Sequence, residues 1–303
     1  MADRLDEVSA HAVRRGLVSH CYRMLGSIAE AQQVATLSLQ SSGEVYAIAT
    51  RQCLDQDVWR PLPTGLAAAS DDPEGRLQQR PEVLWLEPIP DDLTDGRPIG
   101  LDLVAALQRL PARHRAALIL ADIEGWTPAR VTDAIGVSAA DLDEARSHFD
   151  PGQSHVADDA ALLDRYRAAF EQYDVPTITG FFTDDAIWEM PPFTSWFRGA
   201  RNIGRLISTH CPAKEAGDQL LVPIKANGQP GFAVYMRDPA DNVHRAFQLQ
   251  VLTLTATGIV HAIAFFDLTL FETFNLPDLL TTLPKSPYEA QPSLHVTRAD
   301  KHE

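Results

Sequence analysis

Apolar residues recur at helical spacing through the first part of the chain. Ala10, Val13, Leu17, Val18, Cys21, Leu25 and Ile28 fall near a 3.6-residue period, which predicts an amphipathic helix. Gly26-Ser27 marks a stop, with Ser27 as N-cap of a helix starting at Ile28. A further helix is predicted over 44–59, with Val45, Ile48, Ala49, Cys53 and Leu54 inward. From 60 to 99 the period is lost. Pro61, Pro63, Pro73, Pro81, Pro88, Pro90 and Pro98 break any long element, and Asp71-Asp72, Asp91-Asp92 and Gly96 add turn chemistry. This reads as a linker, in which Val83-Leu84-Trp85-Leu86 is apolar enough to dock on a neighbour. Helical spacing returns over 100–150. Leu103, Leu107 and Leu110 share a face, and Pro111 opens a helix carrying Ala116, Leu118, Ile119 and Leu120. Gly125-Trp126 turns the chain, and Thr127-Pro128 caps a short helix to Ile135. Gly136-Val137-Ser138 then leads into a last helix, completing a helix-turn-helix pattern.

From about 158 the pattern changes. Leu162, Leu163, Tyr166, Ala169 and Phe170 predict one helix and 177–182 another. Runs rich in Val, Ile, Phe, Thr and Tyr follow at 186–190, 231–236, 243–254 and 259–268, which read as strands. Helices followed by long strands predict a curved sheet wrapped around helices, an α+β layout. Period-2 alternation over 186–190 places Trp188 and Met190 on one face and Ile187 and Glu189 on the other. The expected organisation is mixed: helical segments 1–60 and 100–150 joined by a proline-rich linker 61–99, an α+β domain over 158–283, and a polar tail 284–303.

Length and composition fit this picture. At 303 residues, 45% hydrophobic and 22% charged, the chain has the make-up of a soluble two-domain protein. It holds no apolar run long enough to span a membrane. The charged start, Met1 to Glu7, does not read as a signal peptide. Cys21, Cys53 and Cys211 are sparse and odd in number, which predicts reduced thiols and a cytoplasmic location. The net charge of −15 means that any nucleic-acid contact must come from a local basic patch. Histidines occur singly, and no phosphate loop, dinucleotide fingerprint or nucleophile elbow is present. No metal and no cofactor are therefore expected.

Two resemblances sharpen the reading. His20-Cys21-Tyr22-Arg23-Met24-Leu25-Gly26-Ser27 and Tyr46-Ala47-Ile48-Ala49-Thr50-Arg51-Gln52-Cys53-Leu54-Asp55 resemble region 2 of extracytoplasmic-function (ECF) sigma factors. Leu110-Pro111-Ala112-Arg113-His114-Arg115-Ala116-Ala117-Leu118-Ile119-Leu120, then Gly125-Trp126, resembles region 4. The resemblance implies that region 2 grips RNA polymerase and opens the −10 element, while region 4 sets a recognition helix in the −35 major groove. The sequence also departs from the family. Gln40 to Tyr46 is short, Gln56 to Pro61 holds one basic residue where an arginine-rich run is usual, and Glu30-Ala31-Gln32-Gln33 lacks the usual acidic pattern. The expected recognition helix, Ser138 to Asp150, carries four carboxylates and one arginine. Carboxylates are repelled by the phosphates a groove-facing helix must approach.

Leu163-Asp164-Arg165-Tyr166-Arg167-Ala168-Ala169-Phe170, Phe181 to Ala186, Met190-Pro191-Pro192-Phe193, Trp196-Phe197-Arg198-Gly199 and Ala226-Asn227-Gly228-Gln229-Pro230 resemble SnoaL-like domains. These are cone-shaped α+β barrels related to ketosteroid isomerase. By that resemblance Tyr166 matches a substrate-polarising tyrosine, and Asp267 lies near the acid/base aspartate of the cyclases. Met190 stands where the isomerase has its base, and a thioether cannot take a proton. Candidate catalytic residues are Asp267, Tyr166 and His261. Candidate substrate contacts are Trp188, Met190, Phe193, Trp196, His210, Asn227, Gln229, Tyr235, Gln248 and Gln250, a mixture of aromatic walls and polar groups suited to an apolar, polyketide-like ligand. Each has a structural alternative: wall packing for the tryptophans, a turn for Asn227-Gly228-Gln229, a helix cap or turn for Asp267.

Two functions follow as expectations. In the first, promoter binding has lapsed, DNA and RNA polymerase are not partners, and the cone binds and cyclises or isomerises an apolar molecule without cofactor. In the second, the chain is a working sigma factor whose cone regulates it. A metabolite-sensing module and a homodimer also remain open.

Overall fold

The computed structural model describes residues 2–56, 58–97, 99–151 and 159–280. The expected tail 284–303 lies outside the described residues. The first half is helical: α1 (Ala2–Leu25), α2 (Ile28–Leu39), α3 (Val45–Leu54), α4 (Leu101–Gln108), α5 (Ala112–Leu118), α6 (Pro128–Ile135) and α7 (Ala139–His148). The second half adds α8 (Ala160–Glu171), α9 (Val175–Thr179), β1 (Phe182–Glu189), β2 (Phe197–Arg198), α10 (Ala200–His210), β3 (Gln219–Ala226), β4 (Gln229–Arg237), β5 (His244–Thr255), β6 (Gly258–Phe265), α11 (Thr269–Thr273) and β7 (Leu279–Leu280). An all-α first half with a helix-turn-helix is thus followed by an α+β cone, as the sequence predicts.

Local chemistry explains the helix-turn-helix. Thr127 caps α6 by accepting the Arg130 N–H, and Pro128 supplies the first turn. Gly136 ends α6 in the left-handed conformation at φ 67°, where a Cβ is disfavoured. Ser138 and Asp141 form a reciprocal capping box on α7. Several expected bounds move: the strand predicted over 259–268 ends at Phe265, and the one predicted over 186–190 starts at Phe182. The helix predicted over 44–59 stops at Leu54, and the one predicted over 177–182 runs Val175–Thr179, with Phe182 opening β1.

The seven strands form one sheet in the order β2-β1-β6-β5-β4-β3, with β7 paired to β5. The β1–β6 pair is parallel and the other pairs are antiparallel. Strand alternation sorts side chains into two cores. Phe232, Val234, Leu252, Leu254, Ala262 and Ala264 face α8, α9 and α10 inside the cone. Ala233, Tyr235, Leu249, Val251, Ile263 and Phe265 face the other way, into a core continuous with Leu17, Tyr22, Leu86, Ile89, Leu101 and Val104. The sheet is therefore buried on both faces, and the helical half covers one of them.

The linker is an extended strap with short 3₁₀ turns at Pro63–Gly65 and Asp91–Leu93. Backbone hydrogen bonds fasten it to both halves: Ser70 N–H to Trp196 O (2.8 Å), Arg80 N–H to Pro192 O (2.8 Å) and Glu87 N–H to Gly26 O (3.0 Å). Leu86 and Ile89 are fully buried, while Leu84 of the apolar run stays exposed.

Gly231 marks the closest strand approach. A Cβ there would stand 2.2 Å from the Gln250 carbonyl oxygen. A backbone oxygen cannot swing aside, so Gly231→Ala is expected to cost about 3 kcal/mol, the upper end for overpacking. Thermal unfolding checks this, and an unchanged melting temperature refutes it.

Candidate functional site

The β3–β4 hairpin turns through Asn227 (φ 58°) and Gly228 (φ 70°), the two left-handed residues an Asn-Gly hairpin turn requires. Its tip is inserted between the strap and α1. Asn227 Oδ1 accepts the Ile89 N–H (2.9 Å), and its Nδ2 donates to Ile99 O (2.8 Å) and Tyr22 Oη (3.0 Å). Tyr22 in turn donates to Glu87 O (2.5 Å). Burial holds the Tyr22 phenol above its ordinary value, so it stays a neutral donor. Gly228 N–H donates to Asp91 Oδ1 (2.7 Å).

Next along β4, Gln229 serves the start of α4. The N-cap there is Gly100, which has no side chain to offer. Gln229 Oε1 accepts the Leu101 N–H instead (2.9 Å), while its Nε2 donates to Thr253 Oγ1 (2.8 Å). A cap comes here from across the seam, satisfying a donor that a helix N-terminus otherwise leaves open.

Beside it lies a buried charge cluster. His261 on β6 bonds Asp102 Oδ1 through Nδ1 (3.1 Å) and Glu189 Oε1 through Nε2 (2.8 Å). Glu189 is fully buried and also accepts the Thr64 N–H (2.7 Å). Burial opposes charge on His261, but Asp102 and Glu189 outweigh it and push its pKa up to about 10. The imidazolium thus joins α4, the strap and two strands of the cone.

The helical segments also close on each other. Arg130 pairs with Glu44 (3.0 Å) and stacks on Trp126 at 3.7 Å. Arg51 donates to Ala134 O (3.5 Å). Deeper in, His20 meets Glu124 (3.4 Å), and Arg97 ties Glu124 (3.0 Å) to Asp95. On α7, Arg146 is engaged by Asp122 (2.6 Å) and Asp143 (3.2 Å).

The remaining sequence-predicted residues are not gathered into one pocket. Tyr166 is enclosed, stacked on Phe232 and tilted against Phe170, and donates to Gln250 Oε1 (2.9 Å). Trp188 and Met190 pack in the same core, and the Trp188 Nε1 and Gln250 Nε2 groups lack partners. Gln248 is buried on β5. Tyr235 lies on the opposite sheet face and donates to Pro277 O (2.8 Å). Trp196 donates to Ala67 O of the strap (2.8 Å), and Phe193 sits edge-on to Phe266. His210 ends α10 with Nε2 unpartnered. Asp267 is exposed and accepts the Thr269 N–H (2.9 Å) and hydroxyl (2.7 Å) at the start of α11. No hydrogen bond joins Asp267, Tyr166 and His261 among the described residues. Sequence reasoning did not single out Glu189, Asp102, Tyr22 or Thr64. The visible signal was Glu189, a carboxylate at the buried end of β1 beside Trp188 and Met190.

Comparison with known proteins places this architecture. Curated relatives include the ECF RNA polymerase sigma factor SigG of Mycobacterium tuberculosis, strains CDC 1551 and H37Rv. Each is 42% identical over 320 aligned residues, covering 92% of this chain and 86% of the relative. The crystal structure of the M. tuberculosis extracytoplasmic function sigma factor SigJ superposes with a TM-score of 0.61 at 18% identity, over 89% of this chain and 99% of that one. No protein-family model matches. The fold is that of a helical sigma-type half joined to a SnoaL-like cone. The chain belongs to the ECF sigma factors. Family membership favours the second of the two functions expected from the sequence over the first.

The His261 cluster has a defined pH signature. Its stabilisation is complete below the unfolded-state histidine pKa of about 6.5 and is lost as pH rises through about 10. His261→Asn strands two carboxylates and is expected to lower stability by about 3–5 kcal/mol at neutral pH. Melting curves from pH 6 to 11 should show the wild-type advantage shrinking from about pH 6.5 and the histidine's contribution gone above about pH 10. An advantage that persists undiminished at pH 11 contradicts the assignment.

Proposed function

We propose that this chain is a working ECF sigma factor for RNA polymerase, and that its SnoaL-like domain regulates it by holding the promoter-contacting segments closed. In this reading residues 1–60 act as region 2, residues 100–150 as region 4, and the strap joins both to the cone. Core polymerase and promoter DNA are the partners, and the cytoplasm is the place of action. The carrying observation is the direct contact of α3 with α6 through Arg51–Ala134 and Arg130–Glu44. The −10 and −35 elements lie about 25 base pairs apart by their labels, roughly 85 Å of B-DNA. Helices that touch cannot serve both elements at once, so the segments must separate before a promoter is bound.

The seam supports a regulatory part for the cone. Asn227 engages α1 and the strap, Gln229 caps α4, and His261 holds Asp102. Weakening these bonds loosens the register of α1, the strap and α4 against the cone, while their apolar contact with the sheet stays in place. Two of the four carboxylates at α7 have a local role, since Asp141 builds the capping box and Asp143 pairs with Arg146. The cyclase reading draws no comparable support, because Asp267 serves its own turn and Tyr166 is enclosed by rings.

Run-off transcription with core polymerase and a selected promoter tests the proposal. The wild-type chain is expected to be weakly active and the Asn227→Ala/Gln229→Ala variant several-fold more active. Loss of one buried hydrogen bond is worth about 1–3 kcal/mol, enough to shift a closed–open balance by that factor. Inactivity of both proteins, or equal activity of the two, overturns the proposal.

A further inference from the structure

We propose that Glu189 and His261 form a relay: seating of the strap on the cone and the hold on α4 are coupled through the one histidine ring between them, so that strap and helix are released together. The strap is laid along the loop that joins β1 to β2. Ser70 N–H donates to Trp196 O (2.8 Å), Thr194 N–H to Gln78 O (2.9 Å) and Arg80 N–H to Pro192 O (2.8 Å), while the Trp196 indole donates to Ala67 O (2.8 Å). Leu77 of the strap and Phe193 of the loop both pack on the apolar interior of the cone. At the start of this contact the Thr64 N–H reaches the Glu189 carboxylate (2.7 Å). At the other end of the cluster stands Asp102, in the first turn of α4.

Competition gives the coupling its sign. Both nitrogens of His261 face carboxylate oxygens, Nδ1 toward Asp102 (3.1 Å) and Nε2 toward Glu189 (2.8 Å), so both donate and the ring is a cation. One cation thus serves two carboxylates. Glu189 is fully buried and draws on the ring and on Thr64. A buried carboxylate needs its donors. When the strap lifts, Glu189 loses the backbone N–H and pulls harder on the ring, which weakens the bond to Asp102. When α4 moves, the ring falls wholly to Glu189, whose pull on the Thr64 N–H drops, because hydrogen bonds sharing a group polarise one another. Each loss therefore promotes the other. The use of the relay in regulation rests on the closed sigma factor proposed above, because α4 opens the 100–150 segment assigned to region 4. The coupling itself is a property of the free chain.

Amide hydrogen exchange on the full-length protein, read by mass spectrometry, reports local opening. Peptides over 62–70 follow the strap and peptides over 101–108 follow α4, with α8 as the reference for general loosening. Asp102→Asn keeps an acceptor for Nδ1 and removes the charge. It should raise exchange about fivefold in the strap as well as in α4, the lower end for coupled sites. Trp196→Phe deletes the indole N–H held by Ala67 O, and should raise exchange in α4 as well as in the strap. In a Glu189→Gln background the neutral amide no longer competes for the ring, and each substitution should act on its own side alone. The two single variants decide the matter even where Glu189→Gln folds poorly. The proposal is overturned by Asp102→Asn leaving the strap unchanged, by Trp196→Phe leaving α4 unchanged, by crossed effects that persist in Glu189→Gln, or by an equal rise in α8. Exchange is measured without polymerase or DNA, so a failed transcription assay leaves these rates as they are, and uncoupled exchange leaves the sigma-factor reading standing.

Discussion

The sheet is apolar on both faces, and the rest of the molecule is arranged around that constraint. Antiparallel sheets commonly leave one face to water. Here Tyr235, Leu249, Val251 and Phe265 project away from the cone interior and share a core with Leu17, Leu86, Ile89 and Leu101. Burial of such surface contributes about 25 cal/mol per Å². The helical half is thus held chiefly by apolar contact. Asn227, Gln229 and the His261 cluster then set its register through directional bonds that tolerate little displacement.

This division separates strong joints from weak ones. The contact of the sheet with α1, the strap and α4 is dry and extensive, so separating it would expose a large apolar patch. The contact of α3 with α6 is different. Its rim carries the exposed Arg130–Glu44 pair and the long Arg51 bond, and an exposed ion pair is worth only about 0–1 kcal/mol, whereas beneath it Ala47 and Cys53 of α3 and Val131 and Ile135 of α6 lie in one buried core with α1 and α5. In a sigma factor whose two regions must part, this polar rim yields first, and the shared core beneath it carries most of the cost of separation. The deeper Arg97–Glu124–Asp95 network marks how far opening can go before the helical core itself is disturbed.

Much of the fold was legible in the sequence, because local punctuation is strong. Thr127-Pro128, Gly136 and Ser138 each mark a helix end, and each does so in the structure. Strand β3 was missed because Pro223 interrupts its run, although a proline is tolerated on an edge strand that pairs only with β4. Helix α10 was missed between two strand-like stretches, although Ile203, Leu206 and Ile207 share a buried face. Polar residues on the strands were visible, but what they meet was not. Asn227, Gln229 and His261 suit a ligand pocket and a docking seam equally well by pattern, since periodicity reveals which face a residue occupies and not what covers that face. Their partners Ile89, Leu101 and Asp102 lie more than a hundred residues away.

The central claim is that the two sigma-type segments rest against each other in the free chain and separate when it acts. A donor–acceptor dye pair at Ser42 and Ser147, both exposed, reports this distance directly. The free protein should give one short distance, and addition of core polymerase with promoter DNA should lengthen it by tens of ångströms, on the order of the roughly 85 Å between promoter elements. A transcribing complex in which the dyes stay as close as in the free chain would contradict the account.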